Sequence, residues 1–176
     1  MAAMTRPCRC AILQPLQHEE KPAMSSASQA GGARRTVDVL LDQYGESHQH
    51  PTNKLIHWFC VPLIVFSVLG LLWAVHPYAP IVLMVLSLIY YVTLSPVMAI
   101  LMLGISAAML YGLWLIAQTG YLWQVSLAIF IGAWIVQFIG HKIEGKKPSF
   151  LQDVKFLLIG PLWLLGFVLR KLGVRY

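Results

Sequence analysis

Histidines stand at two places in this chain where long apolar runs meet polar sequence. His48, His50 and His57 fall in SHQHPTNKLIHW, and His141 falls in QFIGHKIEG. His57 opens one apolar run and His141 closes another. Polar side chains at such positions are costly, and they are functional by default when they face a bundle interior. A fold that brings these ends together gathers the imidazoles around one metal ion at the membrane surface. An all-imidazole set, or imidazoles plus a carboxylate, suits iron, zinc, copper or nickel without selecting among them. Three histidines with an open position make a catalytic centre rather than a closed structural one. The plainer role for any one interfacial histidine is a hydrogen bond to a lipid headgroup. Asn53, Gln137 and Glu144 add polar groups near the same depth. Gln137 and His141 are four apart on one helix and share a face. Glu144, three beyond His141, is placed to orient its ring.

Something apolar must carry these residues. Of the 176 residues, 58% are hydrophobic and 11% charged, and mean hydropathy is +0.68. Soluble domains have about a quarter charged residues, and a chain of this length could not hide so much apolar surface in water. The expected class is an all-α integral membrane protein. The net charge of +6 comes from scattered Lys and Arg. No basic stripe reads as a nucleic-acid surface, and cations flanking apolar spans fit the positive-inside rule. Cys8, Cys10 and Cys60 make no disulfide framework.

Residues 1–35 read as a disordered polar tail, in which His18 is solvated, and residues 36–176 as a helical membrane domain. TVDVLLDQYGE, from 36 to about 46, reads as an amphipathic helix on the headgroups. Val37, Leu40, Leu41 and Tyr44 recur at helical spacing, and Gly45 is expected to end the helix. Pro51 and Asn53 read as breakers. Apolar runs then predict spans over Leu55–Val75, Ile81–Thr93, Pro96–Ala117 and Leu122–Gly140. Gly104, Ala107 and Ala108 predict a close-packing face. The last run, 156–169, is broken by Gly160-Pro161; it could cross, but a re-entrant or interfacial hairpin is favoured.

Lys54 precedes the first span, and Lys142, Lys146 and Lys147 follow the fourth, while the loops between carry no Lys or Arg. About four crossings put both histidine-bearing ends on one face. The positive-inside rule makes that face cytoplasmic, in a bacterial inner membrane or the endoplasmic reticulum. The three lysines after the fourth span could steer an anionic group or could simply set topology.

YGESHQHPTNKLIHWFCVPL and GAWIVQFIGHKIEGKKPSF resemble the two signature blocks of the Mpo-type 2-hydroxy-fatty-acid dioxygenases. Tyr44, His48, Pro51, Asn53, Ile56 and His57 match the first block. Trp134, Gln137, Phe138, Gly140, His141, Glu144 and Pro148 match the second. His50 departs from the pattern, which has Asn there, and ranks below the other three histidines as a ligand. The resemblance spans about residues 36–176. It implies an Fe(II)-dependent membrane enzyme of fatty-acid α-oxidation. Such an enzyme shortens a long-chain 2-hydroxy fatty acid by one carbon with O2 and without 2-oxoglutarate, in sphingolipid breakdown for the eukaryotic member. On this reading His48, His57 and His141 hold iron. Glu144 or Asn53 positions a proton or a ligand, and Gln137, His50 and Lys142 stand behind the ligands or near substrate.

Two other readings remain open at this point. One is a zinc-dependent membrane lipid hydrolase or hydroxylase. The chain lacks the HxxxH and HxxHH boxes of lipid desaturases, which counts against a di-iron centre. The other is a non-enzymatic helical scaffold or transporter, although transporters place polar ligands near the bilayer midplane and these lie at one edge.

Overall fold

The computed structural model describes residues 35–46, 48–145 and 157–176. The expected tail, except Arg35, and Lys146, Lys147 and Pro148 lie outside the described residues. Those described form α1 (Thr36–Glu46), α2 (Pro51–Val75), α3 (Ala79–Leu94), α4 (Pro96–Ala117), α5 (Leu122–Glu144) and α6 (Ile159–Lys171). Among them α2, α4 and α5 are long and apolar enough to cross a membrane, and α3 is a shorter apolar helix.

The central pair is α2 against α5, running antiparallel. Asn53, His57, Cys60, Ile64 and Ser67 are buried along α2, and Ser126, Ala133, Gln137 and Gly140 along α5. The α2 row steps by three and four residues and the α5 row by seven, four and three, the spacing of a packed helix seam. The helices approach most closely at glycines. A β-carbon on Gly140 would lie 2.5 Å from Asn53 Oδ1, and one on Gly70 would collide with Ser126 Oγ. In a bilayer, packing of this kind holds helices together without a hydrophobic driving force between them.

The face expected from Gly104, Ala107 and Ala108 is not a seam in this chain. All three are exposed, and nothing lies within 4 Å of a β-carbon at Gly104. Small residues permit close packing but do not say which helix comes close.

Two expected breaks are helix starts. Pro51 occupies the first turn of α2, whose N-cap is His50, with the His50 side chain accepting from Thr52 N. The missing proline N–H is one of the groups that have no partner in a first turn. Asn53 is therefore inside α2 and fully buried. Gly160-Pro161 likewise sits in the first turn of α6, a single helix where a broken hairpin was expected. α5 runs past Gly140 to Glu144 and ends at Gly145 in the left-handed region, φ 74°.

The apolar stripe of α1 meets protein. Val37, Leu41 and Tyr44 are buried with Leu162, Trp163 and Leu169 of α6 and with Met98 and Ala99 of α4. Gly45 lies one residue inside α1 rather than beyond it, and a β-carbon there would approach Trp163 Nε1 to 3.3 Å. Tyr91 on α3 donates to Leu158 O at 2.8 Å, tying α3 to the start of α6.

Candidate metal centre

The C-terminus of α1, the first turns of α2 and the last turns of α5 converge. His48 comes from the short link after α1, His57 from the second turn of α2 and His141 from the end of α5. All three are buried, at 3%, 1% and 6% exposure. One ring nitrogen from each falls within 4.8 Å of the others. The His57 ring centroid is 4.1 Å from that of His48 and 5.2 Å from that of His141.

Backbone acceptors settle two of the tautomers. His48 Nδ1 lies 2.7 Å from Tyr44 O, one of the last carbonyls of α1, which have no partner within the helix. His57 Nδ1 lies 2.9 Å from Asn53 O. A carbonyl oxygen only accepts, so Nδ1 carries the hydrogen on both rings, and each Nε2 of the neutral rings presents a lone pair. Those two Nε2 atoms are 2.9 Å apart. Lone pairs that close require a cation between them, either a proton or a metal ion. Two nitrogens bonded to one ion at about 2.1 Å each, at right angles, stand about 3 Å apart. The donor set therefore fits a bound divalent metal, with backbone carbonyls holding the ligand rings in the manner usual for metal-bound histidines.

Gln137 reaches the same point. Its Nε2 lies 2.6 Å from His57 Nε2, while its Oε1 is buried with no hydrogen-bond partner among the described residues. Tyr44 stacks on His48, with centroids 4.3 Å apart and planes at 18°, and Trp163 packs against Tyr44 at 5.4 Å.

Glu144 is placed differently from the expectation that it orients His141. Its carboxylate accepts from Gln49 N at 2.7 Å, from His50 N at 2.9 Å and from Asn53 Nδ2 at 3.0 Å. It therefore clasps the link that carries His48 onto the end of α5. Asn53 serves the same clasp through Nδ2, and its Oδ1 is buried without a partner among the described residues. His50 is exposed at the cap of α2, outside the three-histidine group, and Lys142 is exposed on α5.

A cleft of about 530 Å³ opens beside His48, lined by Lys54, Arg170 and Lys171 together with Asp42 and Glu46. Arg170 and Lys171 are neighbours of the site that the sequence does not single out. Their place depends on α6 folding back over α1, and no local pattern announces that.

The family described as "2-hydroxy-palmitic acid dioxygenase Mpo1-like" matches residues 35–172. The chain belongs to the Mpo1-like family. Over 136 residues it is 33% identical to the 2-hydroxy-palmitic acid dioxygenase MPO1 of Saccharomyces cerevisiae, covering 72% of this chain and 75% of that one. No solved structure matches it. All three clustered histidines of this Mpo1-like chain lie within the matched span.

Proposed function

We propose that this protein is an Fe(II)-dependent dioxygenase of fatty-acid α-oxidation, converting a long-chain 2-hydroxy fatty acid to the acid one carbon shorter. The observation that carries this reading is the buried three-imidazole cluster with its carbonyl-anchored tautomers, set in a family whose yeast relative is named for this reaction class. The balance closes on O2 alone, since a 2-hydroxy acid plus O2 equals the shorter acid, carbon dioxide and water. No 2-oxoglutarate or external reductant is required.

Iron held by His48, His57 and His141 would supply the redox centre and a chelation point for the substrate's carboxylate and hydroxyl. The chain's own residues do the rest. Three neutral imidazoles leave a divalent charge uncompensated, and the Glu144 carboxylate is engaged by backbone N–H groups. The site therefore favours an anionic substrate group. Lys54, Arg170 and Lys171 outnumber Asp42 and Glu46 in the cleft beside His48, a small cationic excess that favours a carboxylate there. Tyr44 fixes the His48 ring by stacking. Gln137 can present either end of its amide to the ligand cluster or to a substrate oxygen. The lysine pattern of the sequence supports a cytoplasmic histidine end.

The test is anaerobic metal analysis of the detergent-purified protein, followed by reaction with O2 and 2-hydroxypalmitic acid under mass spectrometry. A shortened acid that depends on Fe(II) supports the proposal. Bound metal without that product, or turnover with Zn(II) in place of Fe(II), overturns it.

A further inference from the structure

The site stands between two openings of opposite character. On one side is the charged cleft beside His48. On the other, three cavities run in series, mixed in character beside the histidines and apolar beyond. The first, about 20 Å³, is lined by Tyr44, Trp134 and Gln137 and ends on Leu157. The second, about 50 Å³, begins at Leu157 and reaches Met102 and Ser106. The third, about 200 Å³, shares Met102 and Ser106 with the second and lies between α2, α4 and α6. Ile105, which also lines it, is 40% exposed, so this cavity reaches the apolar outer surface of the helices.

We propose that this series is the channel for the acyl chain of the substrate, entered sideways from the bilayer between α2, α4 and α6. The inference rests on the 2-hydroxy-acid reading and specifies how that substrate lies. An amphiphile needs a charged berth and an apolar one on opposite sides of its reacting carbon, and the histidines separate two such spaces. Apart from Ser106, the side chains lining the outermost cavity are hydrocarbon, thioether or indole. Thioethers at Met102 and Met109 adapt their shape to a flexible chain. A chain so placed keeps its tail in an apolar environment while its carboxylate reaches the imidazoles. Ser106, at the junction of the two larger cavities, is then a residue that sets chain length.

The first experiment uses 2-hydroxypalmitic acid carrying a photoreactive diazirine at its terminal carbon. The full-length, Fe(II)-loaded protein is labelled without O2 and mapped by peptide sequencing. The expected label falls on Met102, Ser106 or Met109 of α4 or on Leu164, Leu165 or Val168 of α6, which line the outermost cavity, and excess unmodified 2-hydroxypalmitic acid displaces it. Label on Leu41 or Phe167 in the charged cleft overturns the channel. So does label that the free acid does not displace, which marks a lipid-filled crevice. The second experiment is Ser106→Trp. It is expected to lower kcat/KM for 2-hydroxypalmitic acid roughly tenfold relative to 2-hydroxyoctanoic acid. Leu103→Trp, on the exposed side of α4, leaves the ratio unchanged. An unchanged ratio in folded Ser106→Trp overturns the assignment, and if that variant does not fold, the labelling decides. Should the wild type turn over no 2-hydroxy acid, the proposed reaction fails, while displaceable label on α4 or α6 still supports the channel.

Discussion

Each imidazole of the cluster has a different anchor, so the three histidines are not equivalent at the residue scale. His48 depends on the last turn of α1, His57 on its own helix and His141 on the end of α5. Replacing any one by Ala is expected to remove bound iron and turnover together, checked by metal analysis of each purified variant. Retained iron in all three variants would return the histidines to a structural role. Glu144 should behave differently. Glu144→Ala deletes the acceptor of two exposed backbone N–H groups and of the part-buried Asn53 amide, costing about 0.5–1.5 kcal/mol of stability. It should lower the melting temperature and weaken iron binding while leaving the stoichiometry at saturating iron intact, because the carboxylate clasps the link and is not a member of the cluster. The types and spacing of the histidines were legible in the sequence because imidazoles are rare in apolar surroundings. The partners of Glu144 were not, since they depend on a contact between residues more than ninety positions apart.

At the scale of the element, the α2–α5 seam sets how well the ligands meet. Gly140→Val forces a side chain into Asn53 and Ile56, and overpacking of this kind costs about 1–3 kcal/mol. Thermal melts should show that loss, and metal affinity should fall with it because Asn53 O holds His57. Gly104→Val, which meets open space, should change neither. Helix ranges were readable in advance, and α1 and α4 fall on their expected residues. The pairing of helices was not. In a soluble helix, a polar face marks the outside. Here the lipid-facing and protein-facing positions of α4 are both apolar, so periodicity carries no contrast, and the small residues of α4 pointed to the wrong seam. The prolines misled for a related reason. Composition marks a proline as a breaker, but only position in the helix decides whether its missing N–H matters, and both Pro51 and Pro161 occupy first turns.

For the molecule as a whole, the antiparallel order places the link at Ser95 at the histidine end, and the links at His76 and Gln118 at the other. Single cysteines at Gln49 and Gly145 should react with a membrane-impermeant maleimide from the same side, and one at Thr119 from the opposite side, in vesicles of known orientation. Label on Gln49 and Gly145 from different sides would contradict a bundle that closes on one metal. The lysine pattern put both histidine-bearing ends on one face, and their convergence in the fold agrees with that; the maleimide experiment reads which side that face takes.

The convergence of α1, α2 and α5 also imposes a schedule on biosynthesis. The ribosome delivers His48 and His57 early and His141 only after most of the chain has been made. A nascent chain therefore carries two of its three imidazoles until α5 has formed beside α2, and a metal centre built on all three would be incomplete until then. On the proposed function, metal capture would accordingly come late in maturation, reporting on a completed fold rather than guiding it.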